Sequence, residues 1–165
     1  MKKIDISTKK HPNTFALVDD GDYEKLNRHK WYATEPYEGK IYAHRRQRID
    51  DKTIAFHMHV VIIGKVEGKI TDHRNGNGLD NQRHNLRHCT HKENIRNQGI
   101  NVANTSGYKG VCWNRWRNKW QSNIKYNNKT LHLGLFTCLI KAAKAYDKAA
   151  KKYHGEFANL NFKDE

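Results

Sequence analysis

Asp72-His73-Arg74-Asn75-Gly76-Asn77-Gly78-Leu79-Asp80-Asn81, continued through Asn85-Leu86-Arg87 to Glu93-Asn94-Ile95-Arg96-Asn97, is the stretch on which the reading of the chain turns. An acid and a histidine are adjacent, and a loop of Asn and Gly follows. Ile70–His73 is short and partly β-branched, as a strand end is. Asn75, Gly76, Asn77 and Gly78 tolerate positive φ and make a loop or wide turn. Leu86–Cys89 reads as a second short strand. Thr90-His91-Lys92-Glu93 has the capping-box form, so a helix is expected to start at about His91 and to carry Asn94. Folded as strand, loop, strand and helix, the segment can bring Asp72, His73 and Asn94 together.

Those residue types suit the cutting of a phosphodiester. The reaction needs an attacking hydroxide, charge relief on the phosphoryl oxygens and help for the leaving alkoxide. Histidine is the usual side chain for taking a proton from water near neutral pH, which makes His73 the candidate general base. A hard divalent ion can be held by an Asp carboxylate and an Asn carbonyl oxygen, here Asp72 and Asn94. Asn85 is expected to hydrogen-bond across the site and orient the His73 ring. Three blander readings compete. An EF-hand fails because Arg74 and Arg83 stand where oxygen ligands are needed. His84, His88 and His91 could gather a zinc ion, but no Cys pair accompanies them. The loop could also be a structural Asn/Gly turn.

Asp72-His73, Asn85 and Asn94 at these spacings resemble the HNH endonuclease family with its ββα-metal motif. The run from Asp72 to Arg87 is especially similar to the phage and intron-encoded homing endonucleases of that family. The resemblance implies His73 as base, Asp72 and Asn94 as ligands of one Mg²⁺ or Mn²⁺ per active site, and Asn85 as the orienting residue.

The 165-residue chain carries a formal net charge of +14 and only 36% hydrophobic residues, which favours small modules and a polyanionic partner. It has neither a long apolar run nor a basic helix with a large apolar face, which argues against a membrane partner. No hydrophobic signal region follows Met1, so a cytoplasmic protein is expected. Cys89, Cys112 and Cys138 are odd in number and lack a Cys-x-x-Cys pair, as reduced thiols do.

Residues 1–55 read as a β-rich region. Phe15–Val18 is a strand candidate, and Asp19-Asp20-Gly21-Asp22 is a turn. Tyr23–Trp31 can form a short helix with Tyr23, Leu26 and Trp31 inward, and Tyr32–Pro36, Ile41–His44 and Thr53–Ala55 look extended. Arg45, Arg46 and Arg48 can touch phosphates or line a solvated strand. Residues 56–98 hold the HNH-like motif. They open on the apolar run Phe56–Ile63, where periodicity alone does not choose helix or strand. Its place resembles a helix of the family, and His59 on it either approaches the scissile phosphate or is packed. Residues 99–106 are polar and aperiodic, as expected of a linker along the substrate.

Residues 107–163 read as a second module. Tyr108–Val111, Trp120–Lys125 and Thr130–Phe136 are strand candidates, and Asn127-Asn128 is a hairpin turn. Trp120, Ile124, Leu131, Leu133 and Leu135 alternate onto one face, Asn123, Lys125, Thr130 and His132 onto the other. An Ala-rich helix is expected over Leu139–Tyr153. A three-stranded sheet with a helix on one side leaves a polar, basic and aromatic face for a DNA groove.

Several residues of this module, Tyr108-x-Gly110-Val111, Lys119-Trp120, Leu133-Gly134-x-Phe136, Ala142–Ala150 and Asn159-Leu160-Asn161-Phe162, resemble the plant ethylene-response-factor (Apetala-type) DNA-binding domain. The resemblance places DNA-reading positions on Lys109, Cys112, Asn114, Trp116, Asn123, Lys125, Thr130 and His132. Cys112, Asn114 and Thr130 replace the usual Arg, Asn123 the usual Glu and His132 the usual Trp, so the plant target sequence does not transfer. Arg115 and Arg117 are candidates for phosphate contacts, Trp116 for a DNA contact and Trp120 for the core.

Together these features predict an α+β protein built of small pieces. They are a β-rich N-terminal region, a ββα-metal nuclease motif and a C-terminal three-stranded antiparallel sheet on one helix. The expected activity is site-directed, divalent-metal-dependent cleavage of double-stranded DNA by a monomer. A DNA-binding regulator with an inactive nuclease site, and an RNA-binding protein with a structural zinc, are the alternatives.

Overall fold

A computed structural model describes residues 1–163. Its contacts divide the chain into two units, Met1–His91 and the residues from Lys92 onward. The order is mixed: β1 (Lys2–Asp5), β2 (Phe15–Val18), α1 (Asp20–Asn27), β3 (Tyr32–Tyr37), β4 (Lys40–Ile49), β5 (Lys52–His57), α2 (Met58–Ile63), β6 (Ile70–His73), β7 (Leu86–Cys89) and α3 (His91–Asn97). Then follow β8 (Val111–Asn114), β9 (Lys119–Tyr126), β10 (Lys129–Phe136), α4 (Leu139–His154) and a 3₁₀ turn (Gly155–Phe157). The strands form small antiparallel sheets ordered β1-β2, β3-β4-β5, β6-β7 and β10-β9-β8.

In the first unit, the alternate positions Ile4 and Ile6, and Ala16 and Val18, turn to one core. They meet Leu26 of α1, Trp31, Ala33, Ala43, Met58, Ile62 and Leu86 there. Trp31 is fully buried, and its indole N–H is satisfied by the Leu26 carbonyl at 2.8 Å. The apolar run 56–63 divides between two elements. Phe56 and His57 finish β5 on the β4 ladder, and Met58 and Ile62, one turn apart, bury the inner face of α2. Arg45 lies over Phe56, 4.4 Å from the ring centroid, which gives this member of the basic cluster an apolar seat inside the protein.

The segment after β6 is held as firmly as a strand. Leu17 N–H donates to the Leu79 carbonyl and Asn81 N–H to the Leu17 carbonyl, each at 2.8 Å, so residues 79–81 run beside β2. Arg83 closes the same corner with two 2.7 Å bonds to the Asp22 carboxylate. Gly78 has no room for a side chain: a Cβ there would stand 2.6 Å from the Tyr42 ring and against the Ile41 carbonyl.

In the second unit α4 covers one face of the β8–β10 sheet. Ala142, Ala143, Ala149 and Ala150 bring the backbones close, and Tyr146 packs with Ile124. Asn127 and Asn128, at φ 48° and 62°, make the two-residue hairpin expected between β9 and β10. Two details differ from the sequence expectation. The first strand starts at Val111 rather than Tyr108, because Asn104 and Ser106 gather the amides and carbonyls of residues 106–111 into a turn. Gly110, at φ +75°, lies against the Tyr146 ring. In addition, a bulge between His132 and Gly134 flips the alternation, so that Leu135 pairs with Gln121 on the outer face and is 37% exposed, while Phe136 turns inward. The three cysteines are unbonded, and no helix among the described residues is long and apolar enough to cross a membrane.

Candidate active site and nucleic-acid interface

The β6–β7 ladder sets Asp72 opposite Arg87 and His73 opposite Leu86. Directly opposed side chains share a face, and Arg87 Nε accordingly donates to Asp72 Oδ2 at 2.9 Å. Both residues are buried. The expected metal-ligand carboxylate is thus already in contact with a guanidinium.

His73 is also buried, on the other side of the strand. Asn81, with no solvent exposure, donates its side-chain amide to the Gly78 and Leu79 carbonyls at 3.4 and 3.3 Å. That anchoring aims Asn81 Oδ1 at His73 Nε2, 3.3 Å away. Oδ1 can only accept, so the neutral ring carries its proton on Nε2 and its lone pair on Nδ1. Burial pushes the His73 pKa below the usual histidine value, against the opposing pull of Asn81, Asp72 and Asp80. The ring is therefore held in the uncharged form a base requires.

Two further rings contact it, and a third stacks behind one of them. His59 of α2 meets His73 edge-on with centroids 5.1 Å apart and stacks on His57 at 5.5 Å. Tyr42 of β4 stands 5.8 Å from both His59 and His73. Burial, then the neighbouring His73 and His57, lowers His59 to a pKa of about 3. Its Nδ1 is sealed from solvent and has no hydrogen-bond partner among the described residues.

Asn85 braces the loop. Its Oδ1 accepts from Asn75 N–H at 3.0 Å and its Nδ2 donates to the Asp80 carbonyl at 2.7 Å, so the loop is pinned across its width. Asn81 makes a contact of its own to the His73 ring. The signal for Asn81 was present in the Asp80-Asn81 pair of the motif, but a loop residue's direction cannot be read from spacing. Asn94 sits half-buried on α3, a helix that begins at His91 as the capping pattern predicts. Among the described residues no group of three or more His, Cys, Asp or Glu is arranged to hold a metal. Asp72, in the first unit, and Asn94, in the second, each carry the hard oxygen atoms that Mg²⁺ favours.

On the outer face of the β8–β10 sheet, polar side chains form a hydrogen-bonded row. Asn114 Nδ2 donates to Gln121 Oε1 at 2.7 Å, Gln121 Nε2 donates to Asn123 Oδ1 at 3.2 Å, and His132 Nδ1 lies 3.2 Å from the same oxygen. Gln121, missed as a site residue, is the hub of this row. Its place between Lys119 and Asn123 on an alternating strand was the available signal. Lys125 is exposed two residues further along the same face. At the β8–β9 turn Arg115, Trp116 and Arg117 are exposed, Trp116 at 96%. Trp120 instead packs inward, edge-on to Trp113 at 4.9 Å. Lys109, expected on DNA, sends its ammonium into the protein: Nζ donates to the Arg96 carbonyl at 2.6 Å and to that of Gln98.

The AP2 domain model matches residues 106–156. Protein 3.8 of Escherichia phage T7 is 33% identical over 94 residues, covering 57% of this chain and 77% of that protein. An uncharacterized HNH endonuclease of Acanthamoeba polyphaga mimivirus is 27% identical over 155 residues, 90% of this chain and 75% of that one. An AP2-like ethylene-responsive transcription factor of Arabidopsis thaliana is 40% identical over 60 residues, 36% of this chain but only 12% of the plant protein. With 33% identity over 94 residues that span 77% of the phage protein, the chain belongs to the family of T7 Protein 3.8.

Proposed function

We propose that the chain is a site-directed, divalent-metal-dependent DNA endonuclease of HNH homing type, in which the AP2 segment binds the duplex. The observation that carries the reading is His73: a buried imidazole, kept neutral, with its tautomer set by Asn81. Its Nδ1 lone pair takes the proton as water attacks the phosphorus. Asn85 keeps the loop between the strands in one shape and so holds Asn81 behind the ring. A Mg²⁺ or Mn²⁺ ion, held by Asp72 and Asn94 when bound, would supply charge stabilisation to the phosphoryl and leaving oxygens. The name of the mimiviral relative and the AP2 match at 106–156 support the nuclease and the DNA partner respectively.

On the sheet face Lys125, Arg115 and Arg117 suit phosphates, while Asn123 and His132 can meet base edges, Asn114 joins the same row, and Trp116 offers a flat apolar face. A second reading, a DNA-binding regulator with a silent nuclease site, is favoured by one contact: Arg87 on the Asp72 carboxylate. Supercoiled DNA incubated with the protein, with Mg²⁺ or with chelator, separates the two. The nuclease reading expects Mg²⁺-dependent nicking or linearisation and a loss of about 10²–10⁴-fold in His73→Ala with DNA binding retained. Absence of cleavage with every divalent ion, or equal cleavage by His73→Ala, supports the regulator.

A further inference from the structure

The helix on which Asn94 sits ends in three carbonyls that its own backbone cannot satisfy. All three are taken by side chains from the AP2 segment and the residues just after it. Lys109 Nζ donates to the Arg96 and Gln98 carbonyls, and Asn159 Nδ2 donates to the Asn97 carbonyl at 2.7 Å. A cation at this end of a helix also meets the negative pole of the backbone dipoles. The tether is itself built in. Asn161 brackets Lys109, accepting its backbone N–H at 2.7 Å and donating to its carbonyl at 3.2 Å. Asp147 of α4, buried, accepts from the Asn161 N–H at 2.9 Å and from the Phe162 N–H at 2.9 Å. Arg96 adds a guanidinium over the Tyr126 ring, 5.9 Å from its centroid. A path of hydrogen bonds therefore runs from α4, through the tail at 159–162 and Lys109, to the last turn of α3. From Lys92 onward α3 belongs to the same unit as the AP2 segment.

We propose that the AP2 segment is part of the nuclease machinery as well as its DNA-binding part. Lys109 and Asn159 are positioning residues that fix the C-terminal turn of α3 and with it Asn94. The proposal rests on the nuclease reading and on Asn94 as a metal ligand. It gives Lys109 a role that no DNA contact would give, and the two roles leave different traces. A phosphate contact contributes to affinity and to its salt dependence, about 0.9 in the log–log slope per phosphate neutralised. A positioning residue leaves both alone and acts on the rate at saturation, where displacement of a ligand by an ångström can cost about 10²-fold.

The test uses the full chain, with Lys109→Met, Lys109→Arg and Asn159→Ala beside wild type. Four quantities are read: DNA affinity against salt, single-turnover cleavage at saturating protein, the Mg²⁺ concentration for half-maximal rate, and amide hydrogen exchange in residues 94–98. Lys109→Met is expected to bind DNA with unchanged salt slope. Its saturated rate should fall about 10²-fold, its Mg²⁺ requirement should rise and its exchange at the end of α3 should speed up. Lys109→Arg, which can still donate to both carbonyls, should recover much of the rate, and Asn159→Ala should move the same readings less far. A weaker affinity and shallower salt slope with an unchanged saturated rate would overturn the proposal and return Lys109 to the DNA face. Unchanged exchange in both Lys109→Met and Asn159→Ala would overturn it too, even if Lys109→Met failed to fold cleanly. A wild-type chain that cuts nothing sinks the nuclease reading and the catalytic half of this proposal together. The exchange data then judge the tether by itself.

Discussion

Acid should loosen the first unit through His59. The ring is packed among Tyr42, His57 and His73 with Nδ1 sealed from solvent, and its pKa in the fold is about 3 against 6.5 in the unfolded chain. The depressed value means that the fold prefers neutral His59. Above pH 6.5 neither state is protonated and stability is unaffected. Between 6.5 and 3 the unfolded chain binds a proton that the folded chain refuses, so stability falls as pH falls. Going from pH 7 to pH 5 protonates the unfolded histidine almost completely and the folded one hardly at all, which costs about 2 kcal/mol from this residue. His57 and His73, whose pKa values are also lowered by burial, add to the loss with the same sign. Urea unfolding at the two pH values, followed by the amide signals of the first unit, measures the sum. His59→Gln should lose about 2 kcal/mol less than wild type over the same interval, and ¹H NMR should show the native His59 ring without titration down to pH 5. A ring that titrates near 6.5 in the folded protein, or a variant as acid-sensitive as wild type, would refute the account of this cluster.

Three other perturbations follow from single contacts. Arg87→Met leaves the Asp72 carboxylate buried without its cation, and should destabilise by about 3–5 kcal/mol, much of it recovered by adding Asp72→Leu; equal losses in the single and double variants by urea unfolding would show that the pair is not coupled. Gly78→Ala drives a methyl into Tyr42 and the Ile41 carbonyl and should cost about 1–3 kcal/mol or displace the loop; a wild-type urea midpoint would contradict the packing. On the sheet face Lys125→Ala should weaken binding to all duplexes and flatten the log–log salt slope by about 1, whereas Asn123→Ala, which removes the acceptor shared by Gln121 and His132, should change which sites a random-duplex selection recovers. The same change of preference from both variants would dissolve the distinction between phosphate and base contacts.

Elements whose cause is local were legible in the sequence. Ile70–His73, Leu86–Cys89 and Phe15–Val18 are strands with the bounds that turn residues on either side suggest, and the capping pattern at Thr90 marks the start of α3. The β9–β10 hairpin follows from two asparagines that accept positive φ. What was not legible depends on a distant partner. The run 56–63 is apolar throughout, and only the β4 ladder on one side and the shared core on the other divide it between strand and helix at His57. Leu135 continues an unbroken alternation in the sequence, and one bulged residue reverses it. An exposed leucine beside Gln121 then adds an apolar contact to a face that alternation alone makes wholly polar.

The candidate site divides along the same line. The polar Asn- and Gly-rich character of the loop after His73 was visible from the motif. Which atom each of its side chains engages was not, because that depends on how the loop closes. Residues 79–81 run beside β2, and the backbone bonds of Leu17 turn Asn81 inward. Asn85 braces the same loop. The placement of Asn81 follows from β2, some sixty residues earlier in the chain, and the ion pair from Arg83 to Asp22 of α1 closes the same corner. Lys109 shows the same principle in the second unit. A basic residue ahead of Gly110 in a strongly basic chain reads as a DNA contact, and no motif records that the carbonyls of Arg96 and Gln98 lie within its reach. Charge composition therefore identifies the partner class, while the direction of an individual cation is decided by unsatisfied backbone groups within its reach. Lys125 and the Arg115/Arg117 pair around Trp116 are exposed instead, the placement that the proposed phosphate contacts need.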